Sequence, residues 1–270
     1  MDRHPQIESY SSAHGPQTGG RGGSIGTERS AGLIAALRVT PARFIAPVLP
    51  FDLATAPHVV FDFSKANQAL EQLDLSDPET FSEYIFGEIE DHKALFGIGR
   101  YGEPRVIYRH SSLLSSEDHP RTVHLGVDLF AAPGTEVRTP VDAVVHSFAN
   151  NPGVGNYGPT IILEHSLAGI DFFTLYGHLS SASIRHLDVR DPIARGDRIG
   201  RIGEAWENGG WPPHLHFQIV SDIGGWRGDF PGVAAPSECH HFLALCPDPN
   251  LLLRIPGLGY RTPQEHDDDK

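Results

Sequence analysis

The chain reads as a mainly β protein, an antiparallel β-sheet or barrel-like sandwich with a short helical extension on its N-terminal side. Three observations predict this. The 29 glycines and 22 prolines among 270 residues favour turns and short strands over long helices. Residues 122–130, 135–148, 159–164, 172–179, 198–203 and 214–220 are each strand-like and are separated by Gly, Pro, Asn and Asp. No helices alternate with them, which argues for antiparallel connections and against a parallel α/β sheet.

Taken in order, residues 1–30 are rich in Gly, Ser, His and Gln. They hold too little apolar surface to offset the entropy of ordering, and a disordered tail is expected. Residues 31–100 form an extended and helical extension. Its first part is punctuated by Pro41, Pro47, Pro50 and Pro57, which predicts extended, wrapping chain, and its helical part lies within residues 64–95. There Ser76-Asp77-Pro78-Glu79 has the form of a capping box, and Phe81, Tyr84, Ile85 and Ile89 follow at helical spacing. Residues 101–255 carry the strands, with Leu167-Ala168-Gly169-Ile170 as a hairpin connection. Residues 256–270 are a polar tail.

The net charge of −13 repels nucleic acid and anionic membrane surfaces, and neither is expected as a partner. No apolar run is long enough to span a bilayer. The first eight residues, Met1-Asp2-Arg3-His4-Pro5-Gln6-Ile7-Glu8, lack the pattern of a signal peptide. A cytoplasmic location is therefore expected, with export the alternative if a leader has been removed. Cys239 and Cys246 read as two partly buried free thiols, and the sequence leaves the oligomeric state open.

Three of the strand-like segments carry histidines on what period-two alternation makes a polar face. In Pro212-Pro213-His214-Leu215-His216-Phe217-Gln218, both imidazoles project to one side. In His124-Leu125-Gly126-Val127-Asp128, His124 and Asp128 share a face, and Gly126 leaves a gap between them for an ion. In Tyr176-Gly177-His178-Leu179, parity puts Tyr176 and His178 together. A lone His-x-His is more often a solvated face than a metal site, and 16 histidines supply chance matches. The combination is harder to attribute to chance. Imidazole and carboxylate suit Zn²⁺, and a catalytic zinc takes three protein ligands and keeps a fourth position open. His240-His241 beside the cysteines fits no zinc-finger spacing.

With these residues in place, the stretch from about 123 to 221 resembles the lysostaphin/LytM-type zinc metallopeptidases, many of which cut peptide cross-bridges in bacterial peptidoglycan. Carriers of the resemblance are the His124 and His214 segments, Ala132-Pro133-Gly134-Thr135, Asp142-Ala143-Val144-Val145, Tyr176-Gly177-His178-Leu179 and Gly196-Asp197-Arg198-Ile199-Gly200. The resemblance implies a duplicated-hybrid-motif fold with a groove over the sheet. It also implies one Zn²⁺ per chain held by His124, Asp128 and His216, catalytic roles for His178 and His214, and a peptide or amide substrate. Tyr176 and Asn208 are candidate substrate-facing groups. Residues 208–218, with Gly228-Asp229-Phe230-Pro231-Gly232 and Cys246-Pro247-Asp248-Pro249-Asn250, look closer to one branch: metallopeptidase-like domains fused between a small-molecule kinase-like domain and a class III aminotransferase-like domain.

Besides an active zinc endopeptidase, two other functions fit a chain of this kind. One is a cytosolic metal-dependent hydrolase of a small amide, consistent with the bulky approach Glu207-Asn208-Gly209-Gly210-Trp211-Pro212-Pro213. The other is a non-catalytic adaptor, against which the retention of all five site residues argues.

Overall fold

A computed structural model describes residues 23–259, apart from 112 and 116–118. The expected tail lies outside the described residues as far as 22, and the polar C-terminal tail does so from 260 onward. In chain order the elements are α1 (Gly23–Val39), β1 (His58–Phe61), α2 (Pro78–Asp91), β2 (Phe96–Gly99), β3 (Val123–His124), β4 (Val127–Phe130), β5 (Glu136–Arg138) and β6 (Ala143–Asn151). They continue with β7 (Gly158–Leu167), β8 (Ile170–Gly177), β9 (Pro192–Ile193), β10 (Arg198–Arg201), β11 (His214–Val220), β12 (Val233–Ala234), α3 (Cys239–Leu245) and α4 (Asn250–Leu253).

Eight strands form one sheet in the order β1-β2-β4-β11-β8-β7-β6-β9, antiparallel throughout except for the β1–β2 pair. The sheet is mainly antiparallel as expected, but it is open, with β1 and β9 at its edges, and not closed into a barrel. Small pairs, β5 with β10 and β3 with β12, lie beside it. The hairpin at Ala168-Gly169 forms as read: both residues have positive φ, 51° and 77°, which matches a type I′ turn to the strand twist.

Two expected strands are each broken in two. Residues 135–148 divide at Thr139-Pro140, where proline cannot donate to a ladder, into β5 and β6 of different sheets. Residues 122–130 divide at Leu125-Gly126 into β3 and β4. The second break matters for the site.

Alternation along the central strands sorts the side chains cleanly. Val127, Leu129, Ile161, Leu163, Tyr176, Leu215, Phe217 and Ile219 enter the main core on one face. Leu33 and Leu37 of α1, with Leu252 and Leu253 of α4, belong to the same core. The helix over residues 23–39 replaces the disordered tail expected up to residue 30 and the extended chain expected after it. Its buried residues Ser30, Leu33 and Leu37 recur at spacings of three and four, a signal that the nearby prolines and glycines obscured. Arg29 ties it to the hairpin through Nε and Nη2, 3.0 and 2.8 Å from the Asp171 oxygen.

α2 covers a second core through Phe81, Ile85 and Ile89. Its N-cap is Asp77 and not Ser76, because the Asp77 carboxylate accepts from the amides of both Glu79 and Thr80, with Pro78 in the first turn. The strands β1 and β2 on either side of α2, unforeseen in the sequence, add this region to the main sheet. Cys246 is buried, Cys239 is half-buried, and both are free. Among the described residues no helix is long and apolar enough to cross a membrane.

Candidate metal centre

The face opposite the main core carries the chemistry. Antiparallel pairing sets His216 of β11 directly across from Asp128 of β4, so their side chains share that face. His124 needs a different explanation. On an unbroken strand, residues four apart are separated by about 13 Å, too far to share one ion. The break at Leu125-Gly126 folds His124 back, leaving its Nε2 3.2 Å from Asp128 Oδ1. Gly126 does leave a gap, but the His216 ring fills it: a Cβ at 126 would lie 2.5 Å from His216 Cε1 and 2.8 Å from the Phe217 oxygen.

Three atoms converge: His124 Nε2 and His216 Nδ1 at 3.0 Å, His216 Nδ1 and Asp128 Oδ1 at 3.1 Å, and the His124–Asp128 contact. Their surroundings settle the protons. His124 Nδ1–H donates to the Arg100 oxygen at 2.9 Å, so its Nε2 bears a lone pair. Gln218 Nε2 donates to the Pro231 oxygen at 3.1 Å, which turns its Oε1 toward His216 Nε2–H at 2.9 Å and leaves a lone pair on His216 Nδ1. Two lone pairs and a carboxylate oxygen thus face one another with no proton between them. This arrangement repels unless a cation fills it. Tetrahedral zinc with bonds of about 2.0–2.1 Å keeps neighbouring ligand atoms about 3.3 Å apart, close to the observed separations. The residues fit the ion.

Electrostatics agree. Burial pushes His124 down to about 3, helped by the Arg105 cation, so its ring is neutral. Burial works against ionised Asp128, but the Arg105 guanidinium on its Oδ2 opposes this, and the carboxyl is held well below its usual range.

His214 lies on the same strand face as His216. Its Nδ1–H donates to the Pro212 oxygen at 2.6 Å, and its Nε2 stands 3.7 Å from Asp128 Oδ1. His178 packs on it, ring centroids 4.2 Å apart. Strand parity does not explain His178, however. Tyr176 pairs with Phe217 and is fully buried in the main core, so a regular strand would send residue 178 to that side as well. His178 has a φ of +61°, and this left-handed turn at the end of β8 swings it to the opposite face. Its Nδ1–H donates to the Asn208 oxygen at 2.7 Å. Burial, and then the neighbouring His214 and His216, hold it well below the usual histidine value, and burial lowers His214 too.

The two substrate-facing candidates are therefore corrected. Tyr176 sits in the core, 3.0 Å from Thr174 Oγ1. Asn208 is buried, its side chain closing a loop through two bonds to the Trp211 backbone while its own oxygen holds His178. All five predicted site residues meet, each between 1% and 6% exposed. The sequence reading missed Tyr157, whose ring lies 5.2 Å from His216 and 5.5 Å from His178. It also missed Gln218, although alternation with His216 was there to point to it, and Arg105, which carried no spacing signal.

Residues 122–226 match Peptidase family M23. The chain is 35% identical over 134 residues to the DD-carboxypeptidase/endopeptidase Mpg of Neisseria meningitidis, covering 48% of this chain and 28% of that protein. The protein of the same name from Neisseria gonorrhoeae is 34% identical over 136 residues, covering 49% and 28% respectively. The chain thus spans under a third of the length of these relatives. The catalytic domain of lysostaphin from Staphylococcus simulans is 27% identical, covering 43% of this chain and 77% of that one, with a TM-score of 0.31. Residues 122–226 thus match peptidase family M23 over the same stretch whose histidine segments resemble the lysostaphin/LytM type.

Proposed function

We propose that this chain is a zinc-dependent peptidase that hydrolyses a peptide (amide) bond, with one zinc held by His124, Asp128 and His216 and with His178 and His214 as catalytic residues. The convergence of three proton-free donor atoms, each fixed by its other hydrogen bonds, is the observation that supports it most. When bound, zinc supplies a Lewis acid that activates water near neutral pH and polarises a carbonyl.

The chain's own residues handle the protons. His178 and His214 both commit Nδ1–H to main-chain oxygens, so each keeps Nε2 as its basic atom. Burial holds both rings neutral, the form that takes a proton from attacking water. The protonated ring then returns that proton to the leaving amine.

The matched relatives, named as carboxypeptidases and endopeptidases, support peptidoglycan cross-link peptides as the substrate class. The near-complete burial of the five side chains favours a second reading, a small amide or modified peptide as substrate. Zinc content is the first test: wild-type protein is expected to carry about one zinc, and His124→Ala far less. Equal, low zinc in both would sink the reading. Release of amino groups from purified peptidoglycan, against a panel of small amides, then separates the two substrate classes.

A further inference from the structure

We propose that Arg105, clamped by Glu103, is a positioning residue that makes Asp128 a one-oxygen metal ligand, so that residues 58–105 are a working part of the metal centre. The inference rests on the zinc reading above. Asp128 Oδ1 faces the two histidine nitrogens, while its Oδ2 accepts from Arg105 Nη1 at 2.6 Å. The guanidinium is itself fixed on every side. Nε donates to Glu103 Oε2 at 2.9 Å, Nη1 also reaches Tyr108 Oη at 3.0 Å, and Nη2 donates to the Arg100 oxygen at 3.2 Å. Glu103 is anchored in turn, its Oε1 accepting from the Phe63 amide at 3.0 Å.

Room for this clamp comes from β2. Gly99 pairs with Asp128, and a Cβ there would lie 2.5 Å from Arg105 Nη2. The Arg100 oxygen that accepts from Arg105 also takes the His124 Nδ1 proton. Two of the three ligands are therefore oriented by residues 99–105, which are pinned through Phe63, and none of these lies in the matched span 122–226. One guanidinium stands between two carboxylates, all three groups buried. Its planar fork engages both at once, which the single ammonium of lysine cannot reproduce. Hydrogen bonds to metal-ligating carboxylates set their orientation, and removing such partners costs about 10–100-fold in metal affinity.

The test uses the full chain as wild type, Arg105→Met, Arg105→Lys, Glu103→Gln and His124→Ala. Zinc affinity is measured by competition with a chromogenic chelator, the visible spectrum of the cobalt(II)-loaded protein reports ligand geometry, and melting without metal checks folding. Arg105→Met is expected to weaken zinc by about 10–100-fold and alter the cobalt spectrum. Arg105→Lys should recover part of the loss, and Glu103→Gln should fall between it and wild type. Wild-type affinity and spectrum in folded Arg105→Met overturn the positioning role alone. If that variant does not fold, the same result in both Arg105→Lys and Glu103→Gln does so. Wild-type protein that binds zinc no better than His124→Ala overturns the zinc reading and this inference together.

Discussion

His178 donates its Nδ1 proton to the main-chain oxygen of Asn208 across 2.7 Å, from a backbone held at φ +61°. The left-handed conformation is unfavourable for a side-chain-bearing residue, so it persists only where the surroundings enforce it. The Asn208 side chain enforces it by closing the loop on Trp211. Asn208→Ala is expected to cost about 1–3 kcal/mol of stability and to lower peptidase activity at least tenfold with zinc content unchanged. Urea unfolding, metal analysis and amide-hydrolysis rates measure the three quantities. Full activity in the alanine variant would remove the loop from any part in placing His178.

The two histidines of β11 should separate in function. His216 offers Nδ1 to the ligand cluster, whereas His214 Nε2 stands 3.7 Å from Asp128 Oδ1, beside it. His216→Ala is expected to lose zinc and activity together, and His214→Ala to lose activity with zinc still bound. Metal content of the two purified variants decides this, and equal loss in both would refute the division of roles.

Gly126 is a packing prediction. A methyl group at 126 would press on the His216 ring and on the Phe217 oxygen at 2.8 Å, and backbone cannot move aside as a flexible side chain can. Gly126→Ala is expected to destabilise the fold by about 1–3 kcal/mol, as overpacking does. It should weaken zinc as well, since the ring displaced is that of a proposed ligand. Thermal melts with and without zinc would show a smaller metal-induced rise than in wild type.

Away from the candidate metal centre, His165 predicts a pH dependence. Its Nδ1–H donates to the Asp142 oxygen and its Nε2 lies 2.6 Å from Thr174 Oγ1, in a site where burial pushes it down to about 4. Between pH 6.5 and 4 the unfolded chain binds a proton here that the folded chain refuses. The stabilisation is thus fully present above about 6.5 and is lost as the pH falls toward 4, by roughly 3 kcal/mol in all. His165→Gln should flatten this part of the stability profile. Urea unfolding of both proteins at pH 7, 5.5 and 4 gives the comparison, and parallel profiles would exclude His165 as a cause.

Much of the site was legible in the sequence because its chemistry sits in short segments. His124, Asp128, His214 and His216 occupy positions whose alternation with apolar residues puts them on one side, and β11 realises that pattern along its whole length. Elsewhere residues that do come together were chosen by reasoning that the structure corrects. Regular strand parity would have left His124 about 13 Å from Asp128 and buried His178 in the core beside Tyr176. Each reaches the centre through an irregularity, a strand break in one case and a left-handed residue in the other.

The amino-acid order by itself indicated the strand-rich fold, the hairpin at Ala168-Gly169, the α2 stripe and the five polar residues that meet at the candidate centre. All of these follow from local periodicity and turn chemistry, which act over a few neighbours. Only the tertiary structure decided which nitrogen of each ring faces the cluster, since that depends on Arg100 and Asn208, distant in sequence from the rings they orient, and on Pro231, which turns the amide of Gln218. It alone placed Arg105 behind Asp128, 23 residues away. Hydrogen-bond networks and buried charge pairs connect groups through space, and no period in the chain records them.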